Sequence, residues 1–176
     1  MSSEFPFKVE TTKAATADRE AQRWPVRLRP SNTLEPGRTW IFTDGGGAGR
    51  YAAALARPNI EERRVTGCRE GSAKSVVAEL DGVILGLEHS LPGKKTVIVS
   101  DYLWTAYYIN RWHNVYHTHL REDVARAREI IEARELSDVV FVHYGEDPAD
   151  ECEFSKWNRI AHQMCHQGNL ETSTGG

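Results

Sequence analysis

From Ser72 to Leu91 the apolar residues Val76, Leu80, Val83, Ile84, Leu87 and Leu91 recur at intervals of three and four. That spacing gathers side chains on one face of an α-helix. Ser72 is placed to cap the start of this helix and Pro92-Gly93 to stop it. Before it, Thr39 to Asp44 reads TWIFTD, an apolar and β-branched run closed by Gly45-Gly46-Gly47, the pattern of a strand ending at a glycine-rich turn. Tyr51 to Arg57 and Arg63 to Arg69 are two further strand candidates, and the short links predict an antiparallel meander. After the helix, Thr96 to Ser100 is a continuous apolar run expected of a strand buried on both faces, with Asp101 at its end. A helix from about Tyr102 to Trp112 comes next, then a His-rich connection and a second helix with Leu120, Val124, Ala127 and Ile131 on one face. Val139 to Val142 is the last strand. Phe154, Trp157, Ile160, Ala161 and Met164 define a final helix.

Three strands, a helix, a strand, two helices, a strand and a helix describe a five-stranded mixed sheet flanked by helices, an α/β domain over residues 39–168. Residues 1–38 carry Pro25, Pro30, Pro36 and Gly37 without periodicity, and are expected to be an extension that is mobile or draped over the domain. Residues 169–176 are expected to be a disordered tail.

Composition narrows the class. In 176 residues, 40% are hydrophobic and 27% charged, values of an ordinary globular domain. No apolar run approaches the roughly 20 residues of a membrane span. Three cysteines, Cys68, Cys152 and Cys165, form no CxxC pair, which argues against a disulfide framework or a zinc ribbon and for a reducing compartment. With no signal-like apolar stretch and with Glu4, Glu10, Asp18 and Glu20 near the start, a cytoplasmic location is expected. The net charge of −3 is not that of a protein binding through a broadly basic surface, so any nucleic-acid contact rests on local features.

The candidate chemistry lies in three acids: Asp44 ending the first of these strands, Asp101 ending the fourth, and Glu79 in the helix between them. Taken singly, an Asp-Gly pair is a common turn and a partly buried Glu is often structural. Taken together, neighbouring strands would bring Asp44 and Asp101 side by side, and the helix would lean Glu79 over both. Three converging carboxylates repel one another unless hard cations such as Mg²⁺ or Mn²⁺ neutralise them.

These segments resemble type 1 ribonuclease H from Thr39 to about Gln167. IFTDGG is similar to the first catalytic strand of that family, VVAELDGVILGLEHSL to its helix with the catalytic Glu, and VIVSD to the strand delivering the second Asp. Ile109, Asn110 and Trp112 match an Ile-Thr-x-Trp pattern, and KWNRIAHQMC resembles an Asn-x-x-Ala-Asp segment. The resemblance implies a ribonuclease H-like fold and a metal-dependent endonuclease that cuts the RNA strand of RNA/DNA hybrids with two Mg²⁺ or Mn²⁺ ions. Asp44, Glu79 and Asp101 would be ligands, one ion lowering the pKa of an attacking water and the other stabilising the leaving oxygen. Gly45, Gly46, Ser75, Trp112 and Asn158 would fall among its substrate-binding positions.

The departures from the family carry information of their own. His162 stands where the family has its fourth ligand Asp, as a histidine does in Argonaute-type relatives; on its own it also reads as a surface histidine. Imidazole suits borderline metals, so Mn²⁺ is expected to support activity better than Mg²⁺. Glu146 occupies the place of a mobile-loop His and is the candidate proton shuttle, with Asp147 and His143 as alternatives. Where the family reads the 2′-hydroxyl groups, this chain has Ser75, Val76 and Leu103, of which only serine offers side-chain hydrogen bonds. The usual basic protrusion is replaced by RWHNVYHTHLRED. Trp104, Tyr107, Tyr108, Arg111, Trp112, His113, Tyr116, His117 and His119 suit base stacking or core packing alike. Arg23, Arg27, Arg29 and Arg38 are candidates for the missing positive charge. A nuclease of this fold acting on another nucleic acid, and an inactive binding or assembly module, remain alternatives.

Overall fold

The computed structural model describes residues 7–12, 26–29, 31–58, 60–70, 75–110, 118–145 and 151–171. Its strands are β1 (Lys8–Thr11), β2 (Val26–Leu28), β3 (Arg38–Gly45), β4 (Arg50–Arg57), β5 (Ile60–Cys68), β6 (Lys95–Ser100) and β7 (Ser137–His143). The helices are α1 (Ser75–Glu88), α2 (Leu103–Asn110), α3 (Thr118–Ala133) and α4 (Glu153–Glu171). The strands form one sheet in the order β2-β1-β7-β6-β3-β4-β5. β3, β4 and β5 pair antiparallel as the expected meander, while β6 lies parallel to both β3 and β7.

The continuous apolar runs follow from a sheet covered on both faces. Along β3, Ile41 enters one core while Trp40 and Phe42 enter the other; along β6, Ile98 is opposed in the same way by Val97 and Val99. This is the two-residue alternation of a strand with no solvent-facing side. The first core takes Leu80, Val83 and Leu87 of α1, and Leu120, Val124 and Ala127 of α3. The second is closed by α4, whose Phe154 ring lies 5.4 Å from Trp40, 5.7 Å from Phe42 and 5.9 Å from Tyr144. Helix α1 sits close on β3, for a Cβ at Gly86 would come within 2.3 Å of Ile41 Cγ2.

The sheet has seven strands where five were expected, because the N-terminal extension supplies two. β1 lies parallel to β7 with Val9 opposite Phe141, and β2 lies parallel to β1. Phe7 and Val9 are buried, and the Phe7 and Phe141 rings are 6.1 Å apart. With Val9 as the one large apolar residue in KVET, the segment lacks the alternation that marks a strand. Its binding is tertiary rather than local.

Two of the four arginines expected to face nucleic acid are consumed inside the protein. The Arg29 side chain is only 5% exposed, pairs with Glu10 and Glu35 at 3.0 Å each, and lies over the Trp40 ring at 4.9 Å. Arg38 pairs with Glu35 and Asp138. A buried guanidinium needs partners, and these carboxylates satisfy it. Arg27 is exposed, and Arg23 lies outside the described residues.

Helix α4 continues to Glu171, so residues 169–171 are helical rather than part of a tail. Gly168 lowers helix propensity by about 1 kcal/mol relative to alanine without forbidding the helix. Ser72 and residues 111–117 lie outside the described residues. Among the described residues, no helix is long and apolar enough to cross a membrane.

Candidate active site

The parallel register of β3 and β6 sets the first two carboxylates. Phe42 pairs with Val99, so Asp44 and Asp101 lie two residues further along adjacent strands, at their C-terminal ends. α1 contributes the third from above. A Cβ at Gly45 would come 2.3 Å from the backbone nitrogen of Glu79 and 2.4 Å from the carbonyl carbon of Ala78, so only glycine lets the helix approach this strand. One oxygen from each of Asp44, Glu79 and Asp101 lies within 4.8 Å of the others.

The electrostatics of this cluster are those of carboxyls that disfavour one another's ionisation. Glu79 is 6% exposed, and its Oε2 is buried without a hydrogen-bond partner. Burial above all, then the charges of Asp101 and Asp44, pushes its carboxyl up to about 9, against a hydrogen bond from the Gly45 backbone. Burial also raises the carboxyl of Asp44, opposed by His162 beside it. An unsatisfied buried carboxylate oxygen facing two further carboxylates is a donor set suited to a hard divalent cation. The residues present fit such an ion.

His162 lies beside Asp44, on the side of it away from the three-carboxylate grouping with Glu79 and Asp101. Its Nδ1 is 2.9 Å from Asp44 Oδ2, while the side chain is 61% exposed. Asn158 is buried one helical turn earlier. The Gly46 amide donates to the Arg50 carbonyl at 2.8 Å, so it serves the turn itself. His143, the alternative proton shuttle, ends β7 with Nδ1 3.3 Å from Thr11 Oγ1 of the extension. Glu146, Asp147, Trp112 and the Ser75 side chain lie outside the described residues.

Val76, which has no polar side-chain atom at a place where the resembled family reads the 2′-hydroxyl, is partly buried against the first core. Of the aromatic segment, Trp104 and Tyr108 are half-buried with rings 6.3 Å apart, and Tyr108 packs against that core.

Two site neighbours escaped the sequence reading. Cys165 is buried behind Gly46 and donates to the Arg50 carbonyl, and burial pushes its thiol up to about 12. His166 lies beside His162 with ring centroids 4.2 Å apart. The spacing in HQMCH was the available signal, since residues four apart share a helix face.

Gly45→Ala tests the helix–strand contact. The new methyl group meets backbone rather than a flexible side chain, so α1 must withdraw. A loss of about 1–3 kcal/mol in chemical denaturation is expected, typical of overpacking, together with weaker divalent-ion binding. Unchanged stability would show that the helix does not depend on this approach.

Comparison with known proteins gives a fold and no closer kinship. No family model matches the chain, and no curated protein matches its sequence. Solved structures do match. Ribonuclease H1 from the halophilic archaeon Halobacterium salinarum is 17% identical, with a TM-score of 0.53 over 74% of this chain and 99% of that one. LC11 ribonuclease H1, solved in complex with an RNA/DNA hybrid, is 15% identical, with a TM-score of 0.56 over 74% and 99%. The prototype foamy virus ribonuclease H domain is 14% identical, with a TM-score of 0.59 over 77% and 96%. The fold is ribonuclease H-like, with β1 and β2 added beyond the five-stranded sheet expected from the sequence.

Proposed function

We propose that this chain is a metal-dependent endonuclease that hydrolyses the RNA strand of RNA/DNA hybrids. The observation that carries the reading is the convergence of Asp44, Glu79 and Asp101 at the C-terminal ends of two parallel strands, with a Glu79 oxygen left unpartnered. Asp44, Glu79, Asp101 and His162 are the residues that would hold divalent ions. Once bound, such ions supply charge stabilisation at the phosphoryl group and acidify the attacking water. The chain's own part is placement. Gly45 fixes Glu79 over the strand ends, and burial of Asp44 and Glu79 shields their charge from screening by water. Glu146 is assigned the transfer of a proton to the leaving oxygen. The solved hybrid complex of the similarly folded LC11 protein supports the choice of substrate.

Val76 favours a second reading, in which the same site cuts another nucleic acid. An apolar side chain turned toward the core offers no hydrogen bond to a 2′-hydroxyl. Cleavage of end-labelled hybrid, double-stranded RNA and DNA separates the two. The hybrid is expected to be cut at least about tenfold faster than either duplex, equivalent to about 1.4 kcal/mol of discrimination. Equal or faster cutting of double-stranded RNA would transfer the assignment to the second reading.

The metal preference is a separate expectation. Replacing an aspartate ligand by His162 removes one negative charge and adds a borderline nitrogen donor. Mn²⁺ should therefore support faster cleavage than Mg²⁺ at equal concentration. Equal rates, or a faster reaction in Mg²⁺, would contradict the assignment of His162 as a ligand.

A further inference from the structure

We propose that Asp44, His162 and His166 form a nitrogen-rich site for a borderline first-row divalent ion, distinct in its donors from the all-carboxylate set of Asp44, Glu79 and Asp101. The two sets share Asp44, so this inference deepens the nuclease reading and rests on it for its biological role.

The geometry is local and built by one helix facing one strand. His162 and His166 are four residues apart on α4 and present their rings to each other at a centroid distance of 4.2 Å and an angle of 58°. One donor atom each from Asp44, His162 and His166 lies within 4.8 Å of the others. An ion held tetrahedrally at about 2.0–2.2 Å by nitrogen and oxygen separates its donors by about 3.4 Å. Asp44 Oδ2 and His162 Nδ1 are already 2.9 Å apart, so seating an ion requires a small opening there and a swing of the His166 ring. Both imidazoles are exposed, whereas Asp44 is buried.

The donors set the ion. Two imidazoles and one carboxylate leave positions open for water or a phosphate oxygen, and imidazole favours zinc-like ions over magnesium. The carboxylate set on the other side of Asp44 has only oxygen donors and suits the harder ion. The centre is therefore asymmetric, a hard half beneath α1 and a softer half beneath α4. The same stretch of α4 is tied to β4, where Arg50 Nη1 donates to the His166 carbonyl at 3.5 Å, on the backbone and away from the ring.

The test uses the full chain and Zn²⁺ as a diamagnetic probe. Calorimetric titration is run on wild type, His166→Ala and Asp101→Asn, and imidazole ¹⁵N resonances are followed in parallel. Wild type should bind Zn²⁺ with shifts of the His162 and His166 ring nitrogens. His166→Ala should weaken Zn²⁺ by at least the ~10–100-fold typical of losing a supporting group, with Mg²⁺ affinity unchanged. Asp101→Asn should show the opposite order, with Mg²⁺ weakened and Zn²⁺ retained. Absence of Zn²⁺ binding by wild type, wild-type Zn²⁺ affinity in His166→Ala, or shifts confined to other histidines would each overturn the site. Hybrid cleavage assayed in both Mg²⁺ and Mn²⁺ keeps the two readings apart: cleavage without Zn²⁺ binding overturns this inference alone, and Zn²⁺ binding without cleavage in either metal overturns the nuclease reading alone.

Discussion

Asp44→Asn is expected to reduce hybrid cleavage by roughly 10³-fold or more, about 4 kcal/mol of barrier, while leaving the fold intact. Asp44 is the one residue common to the carboxylate and imidazole sets, so its loss disturbs both at once. Its neighbours make a structural explanation of that loss easy to exclude. Asparagine keeps the shape, and burial already disfavours the charge that is removed. The circular dichroism spectrum should therefore be unchanged while activity in Mg²⁺ and in Mn²⁺ disappears. Retention of more than about a tenth of wild-type cleavage, about 1.4 kcal/mol, would remove Asp44 from the chemistry.

Glu79→Gln should separate stability from activity. In the metal-free fold the Glu79 carboxyl titrates at about 9, against an ordinary value of 4.5. Across that window the folded state holds a proton that the unfolded chain has released, so stability is fullest at low pH and falls as pH rises toward 9. The loss is at most about 1.4 kcal/mol per pH unit. Glutamine has no charge to bury and should flatten the decline. At pH 8 the metal-free variant should melt above metal-free wild type, by about 2–4 °C for each kcal/mol recovered in a domain of this size. Mg²⁺, suited to the all-carboxylate set, should stabilise wild type at that pH and stabilise the variant far less. Cleavage should be lost in the variant even though it is the more stable protein. Parallel pH profiles for the two proteins would show that ionising the buried Glu79 carries no such penalty.

Much of this site is legible in the sequence. The apolar runs of β3 and β6 predict strands buried on both faces, and a carboxylate at the end of each becomes informative once the strands are neighbours. The spacing of Leu80, Val83 and Leu87 orients α1, and with it Glu79. The extension was not legible in the same way. β1 has almost no apolar pattern of its own, and its place beside β7 depends on a surface that exists only after the sheet has formed. Arg29 misled for a related reason. An arginine in a proline-rich segment reads as a free cation, yet Glu10, Glu35 and two aromatic rings enclose it in the folded chain. His166 was hidden differently, since its spacing from His162 is plain in the sequence but its meaning depends on Asp44 across the gap.

Helix α1 illustrates how packing restricts the sequence beyond its apolar stripe. Gly86 admits Ile41, and Gly45 on the facing strand admits the helix backbone at Glu79. Neither requirement shows in hydropathy. Both show as close contacts a methyl group would violate.

The most direct test of the central claim is the chemistry of the cut ends. Wild-type protein is incubated with an end-labelled RNA/DNA hybrid in Mn²⁺, with a chelator control, and the RNA fragments are analysed. Hydrolysis by water at a divalent-ion site predicts internal cuts in the RNA strand leaving 5′-phosphate and 3′-hydroxyl ends, and none with chelator. An intact hybrid, or fragments ending in 2′,3′-cyclic phosphate whether or not the chelator is present, would contradict it.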